Sequence, residues 1–148
     1  MPRAPKYETT PRHLLVGALG FMDAAQRLLD PAPRGAPLLW PPFFVLVAYS
    51  FEMSLKAVVR HAGGSEADLK SIGHDLVRGL SAARAAGYRE PHGLPIDEAV
   101  AAIGSLHMDH SLRYFIGPPD RVVDLFEPED VMGVLRAHLA AVRAIVPV

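Results

Sequence analysis

The sequence predicts an all-α protein: an antiparallel up-and-down bundle of four long helices plus a short split one. Three observations predict it. No stretch alternates apolar and polar residues with period two over a useful length. Apolar residues recur instead at three- and four-residue intervals along extended segments. The breaks between those segments are Thr10-Pro11, Gly63-Gly64-Ser65, Gly73, Gly87 and Gly117-Pro118-Pro119, which are the signals that start and stop helices.

In chain order, residues 1–8 read as a loose tail and residues 9–148 as a single helical-bundle domain. Thr10 is an N-cap and Pro11 occupies the first helical position, where its missing N–H costs nothing. That helix runs to about Leu29, with Leu15, Leu19, Met22 and Leu29 on its buried face. Gly17 and Gly20 weaken it unless another helix approaches closely there. Asp30 to Pro37 is a stiff proline-rich connector, followed by Trp40 as a lid over the core or an exposed partner anchor. Phe43 to Arg60 is mostly apolar and free of Gly and Pro, so it reads as a buried central helix ending at Gly63-Gly64. Ser65 caps a short turn of helix, with Asp68 in the capping-box position. His74-Asp75 opens a helix from Leu76 to Ala86, Tyr88 to Pro95 is a loop, and Ile96 opens a helix reaching roughly Tyr114. Glu127-Pro128 starts the last helix, which continues to about Ile145 with Val131, Leu135, Leu139 and Val142 inward.

Composition narrows the function classes. Half of the residues are hydrophobic, enough for a core, and the formal net charge is −1. The basic surplus that accompanies nucleic-acid binding is missing, although Arg outnumbers Lys twelve to three and guanidinium groups suit phosphate. Without Cys there is no disulfide framework, thiolate nucleophile or thiolate metal site. No signal-peptide pattern opens the chain, and the most apolar run, Ala36 to Tyr49, is too short to span a bilayer. The expectation is a cytoplasmic protein without a membrane span or cofactor.

The central helix carries one feature that packing alone does not explain. On a helical wheel, Phe44, Val45, Ala48, Glu52, Leu55, Lys56 and Val59 share a face, which sets a carboxylate in an apolar stripe. Either Glu52 pairs with Lys56 at i, i+4 on the helix surface, or it points inward and accepts hydrogen bonds from Arg113, Tyr114 or His74. His74-Asp75 has two readings as well: Asp75 caps the next helix and His74 packs on the turn, or the imidazole faces a ligand. His107 and His110 are three apart and can share a helix face. With His74 they make a candidate metal set, in which Glu52 is the other third ligand to consider. No phosphate-cradling glycine loop and no nucleophile elbow occurs.

The order of these features, Phe-Glu-Met-Ser-Leu-Lys-Ala at residues 51–57, a Gly-Gly turn, Ile-Gly-His-Asp-Leu at 72–76 and a late Arg113-Tyr114 pair, resembles the HEPN-like helical-bundle proteins of prokaryotes. The resemblance covers roughly residues 43–115 and picks out Glu52, Lys56, His74, Asp75, Arg113 and Tyr114 as ligand-binding positions. It departs at Phe115, where that branch usually has proline. Many HEPN proteins are metal-independent ribonucleases whose Arg and His are separated by four to six residues. Here Arg89 and His92 are separated by two residues and Arg84 and His92 by seven, so that motif is missing. The resemblance therefore implies a non-catalytic module binding a partner protein or a nucleotide or nucleic-acid ligand. It also implies a homodimer, a defence or toxin–antitoxin setting, and a nucleotidyltransferase as one kind of partner. The alternative is a metal-dependent bundle enzyme using His74, His107 and His110.

Overall fold

A computed structural model describes residues 8–30, 40–108 and 127–148. The described residues are helical throughout their regular structure, with no strand among them. Among the described residues six helices follow in order: α1 (Pro11–Leu29), α2 (Trp40–His61), α3 (Glu66–Ile72), α4 (Leu76–Ala85), α5 (Ile96–Met108) and α6 (Pro128–Arg143). The connector at 31–39 and the segment at 109–126 lie outside the described residues. So do the side chain of Trp40 and the residues His110, Arg113, Tyr114 and Phe115.

The caps explain most of the helix limits. The Thr10 side chain accepts a hydrogen bond from the His13 N–H at the start of α1. Ser65 and Asp68 form the reciprocal capping box of α3, and Asp75 accepts from the Arg78 N–H to open α4. At the end of α2, Gly63 takes φ of 100°, a conformation that costs a residue with a Cβ, and Gly64 donates back to the Val59 carbonyl at 3.0 Å. One limit departs from the expectation. Helix α2 begins at Trp40, not Phe43, with Pro41 and Pro42 inside its first turn, where no intrahelical N–H partner is required.

Helix α2 is the hub. Helix α1 packs along it, α3, α4, α5 and α6 each touch it, and α6 also meets α1 and α5. Phe43, Phe44, Phe51 and Leu55 of α2 are buried against Leu15, Leu76, Ile103 and Leu135 from its neighbours. Gly17 fits a close approach, since a Cβ there would lie 3.0 Å from Met53 Sδ, whereas Gly20 faces open space. Pro41–His61 is 21 residues long with a mean hydropathy of 1.5, enough by length and composition to cross a membrane, yet 67% of its most apolar window is buried inside the bundle. The apolar run is therefore longer than the sequence reading allowed, and its surface is spent on the core.

Candidate functional site

Polar side chains are few in so apolar a core, and two groups of them are tied to α2. The first is centred on Glu52, whose side chain is 8% exposed. One carboxylate oxygen, Oε1, accepts from Lys56 Nζ at 2.8 Å. The other, Oε2, is met by His107 Nε2 at 2.6 Å and by His74 Nδ1 at 3.0 Å. Burial pushes the Glu52 carboxyl up, but hydrogen bonds from His107, Lys56 and His74 outweigh it and hold the group down at about 2. It is therefore ionised at neutral pH, and an ionised carboxylate only accepts. Both ring nitrogens facing it donate.

Each member arrives from a different element. Glu52 and Lys56 lie one turn apart on α2. His74 sits in the turn that follows α3, fixed between Gly73, which ends α3, and Asp75, which caps α4. His107 comes from the last turn of α5. Tyr49, one turn before Glu52's neighbour Met53, lays its ring edge-on to both imidazoles, at centroid distances of 4.9 Å to His107 and 6.5 Å to His74. Exposure is graded across the cluster. His107 is 4% exposed and His74 is 44% exposed, so the group opens to solvent on the His74 side.

Beside it, a cleft of about 360 Å³ is lined by Thr9, Leu14, Lys56, Glu66, Leu69, Lys70 and Gly73. A larger cleft of about 480 Å³ lies along residues 88–94 and Arg84, away from the cluster. Its principal cation is already committed: Arg84 forks onto Asp97 at 2.7 Å and onto Glu90. The smaller cleft is therefore the candidate site, because it adjoins an ionised, recessed group.

Of the expected ligand-binding positions, Glu52, Lys56 and His74 come together in direct contact. Asp75 is engaged as the cap of α4, and Arg113 and Tyr114 lie outside the described residues. Glu52 pairs with Lys56, but inside the bundle and not on the helix surface as the first reading had it; of the donors the inward reading offered, His74 is the one described, and it reaches Glu52. Of the candidate metal set, His74 and His107 converge, and His110 is not described. His107 as a partner of Glu52 was not singled out beside Arg113, Tyr114 and His74. Its place on the buried face of α5, with Val100, Ile103 and Gly104, is the signal that could have found it.

The second group was missed altogether. His138 of α6 is fully buried, with Nε2 at 2.8 Å from Ser54 Oγ and Nδ1 at 2.6 Å from Tyr88 Oη. The Ser54 hydroxyl proton goes to the Phe51 carbonyl at 2.9 Å. Ser54 must then accept from His138 Nε2–H, which leaves Nδ1 to accept from Tyr88. Burial lowers the His138 pKa to about 3 and raises that of Tyr88, so both stay neutral. Leu135, Leu139 and Val142 on the same face of α6 marked position 138 as inward.

No protein-family model, curated protein or solved structure matches the chain.

Proposed function

We propose that the chain is a HEPN-like module, its four long helices antiparallel, which binds a nucleotide-containing ligand or a partner protein without turning it over. The observation that carries this reading is that three of the six positions picked out by the resemblance, Glu52, Lys56 and His74, are joined by direct hydrogen bonds next to a cleft of about 360 Å³. A buried ion is a poor way to stabilise a bundle, since an apolar replacement of similar volume is often as stable or more so. A fixed acceptor beside an ammonium and a half-exposed imidazole is instead a means of selecting polar ligands. The missing Arg–His spacing supports binding without cleavage. In this reading the module is a cytoplasmic homodimer in a prokaryotic defence or toxin–antitoxin setting, and a nucleotidyltransferase is the kind of partner it fits.

Saturation-transfer NMR with the ribonucleoside monophosphates and a short single-stranded RNA, in chelator, tests the ligand arm. Binding by the wild type that is lost in His74→Ala is the expected result, with the RNA intact. Absence of binding, binding indifferent to His74, or metal-independent cleavage would overturn it.

A further inference from the structure

We propose that Glu52, His74 and His107 form a binding site for a divalent transition-metal ion, with zinc as the natural occupant by chemistry. The proposal stands on the geometry of the cluster and does not depend on the HEPN-like reading.

The donor atoms Glu52 Oε2, His74 Nδ1 and His107 Nε2 all lie within 4.8 Å of one another. A tetrahedral zinc with bonds of about 2.0–2.1 Å holds its ligand atoms about 3.3 Å apart. The contacts of 2.6 and 3.0 Å to Oε2 would open by less than about 1 Å, and the two ring nitrogens, within 4.8 Å of each other, would settle to the same spacing, for an ion to sit among the three atoms. Two imidazoles and one carboxylate are a donor set that zinc, nickel and iron accept. Three protein ligands with a fourth position open is also the arrangement of accessible rather than closed zinc sites.

Two further features separate this cluster from an ordinary hydrogen-bonded ion. Both imidazoles address Oε2, while Lys56 takes Oε1. The carboxylate is thereby held to one-oxygen ligation, with Lys56 as the outer partner that orients it. The Tyr49 ring stands nearly perpendicular to both imidazoles, at 85° to His107 and 86° to His74. His74, the exposed member, supplies the route of entry. The two ring N–H groups now directed at Oε2 would be given up, each proton passing to the other ring nitrogen or to solvent, and the freed lone pairs would take the ion.

The test uses untagged protein stripped with chelator and titrated with Co²⁺, followed by visible absorption and then by zinc competition. One equivalent of Co²⁺ with the intense spectrum of a four-coordinate site is expected. Loss of an outer partner alone costs about 10- to 100-fold in affinity, so His74→Ala should weaken binding by at least about 100-fold. His74 is half-exposed, so this variant keeps its fold, which circular dichroism verifies. Lys56→Met, which removes the outer partner of Glu52, should weaken binding by about 10- to 100-fold, and His92→Ala should change nothing. Sub-stoichiometric uptake, an octahedral aquo-like spectrum, an undiminished affinity in His74→Ala or loss of binding in His92→Ala would each overturn the site. Nucleotide binding measured in chelator is unaffected by any of these outcomes, so the two readings fail separately.

Discussion

Replacing Glu52 by Gln removes one charge and leaves the shape almost intact, so its cost measures what the carboxylate's surroundings do for it. Those surroundings lower the carboxyl from 4.5 to about 2. At about 1.4 kcal/mol per pH unit, they favour the ionised form in the folded state by about 3 kcal/mol. The amide mimics the protonated acid, so Glu52→Gln should lose about that much at pH 7. The sign follows from the depression. The contribution is complete above the unfolded value of 4.5 and disappears as the pH falls through 4.5 toward 2. Urea unfolding followed by circular dichroism, at an unchanged slope, gives the loss directly. Lys56→Met provides the comparison. If Glu52 were merely half of a surface pair, both variants would cost a similar amount, about 0.3–0.5 kcal/mol. With His107 and His74 also donating to it, Glu52→Gln must be much the worse of the two. A loss below about 1 kcal/mol, matched by Lys56→Met, would refute the buried-cluster reasoning.

Three other measurements check separate parts of the molecule. His138, lowered from 6.5 to about 3, leaves the unfolded chain as the better proton binder below pH 6.5. Stability should therefore fall by about 2 kcal/mol between pH ~7.5 and pH ~5, and His138→Gln should lack that part of the slope. Gly64→Ala should destabilise by about 1–3 kcal/mol in a thermal or urea melt, because the new Cβ would lie 2.7 Å from Val59 Cγ1 and 2.8 Å from the Val59 carbonyl oxygen. Light scattering at tens of micromolar should give twice the 16.0 kDa chain mass, and a monomer mass would remove the homodimer from the proposed function.

Helix identity was legible wherever a side chain acts on its own backbone. Thr10, Ser65 with Asp68, Asp75 and Gly63 each act within a turn of where they stand, so their effect can be read without knowing the neighbours. The start of α2 was placed three residues late because a Pro-Pro pair resembles a break even where the first helical turn tolerates it. Burial of Glu52 followed from its position on the wheel. Which donors reach it did not, because spacing fixes a residue's face but not which helix that face meets. The Ser54–His138–Tyr88 chain was hidden for the same reason. Its members are 34, 50 and 84 residues apart, and each alone looks like an isolated polar residue in an apolar segment.

Along α2, three polar side chains meet four partners on other elements: Ser50 donates to the Ala18 carbonyl at 2.7 Å, Glu52 meets His74 and His107, and Ser54 meets His138. Their partners at 18, 74, 107 and 138 are met in the order in which a ribosome would deliver them. When α2 first emerges, only Ser50 of the three has its partner from another element; Glu52 has Lys56 alone and Ser54 the Phe51 carbonyl alone, both within α2. Those two groups make lipid a poor refuge for the nascent segment, and their bonds to His107 and His138 form only after α5 and then α6 have been synthesised. The polar ties of α2 thus act as a timer on assembly: the central helix is complete when the last one docks.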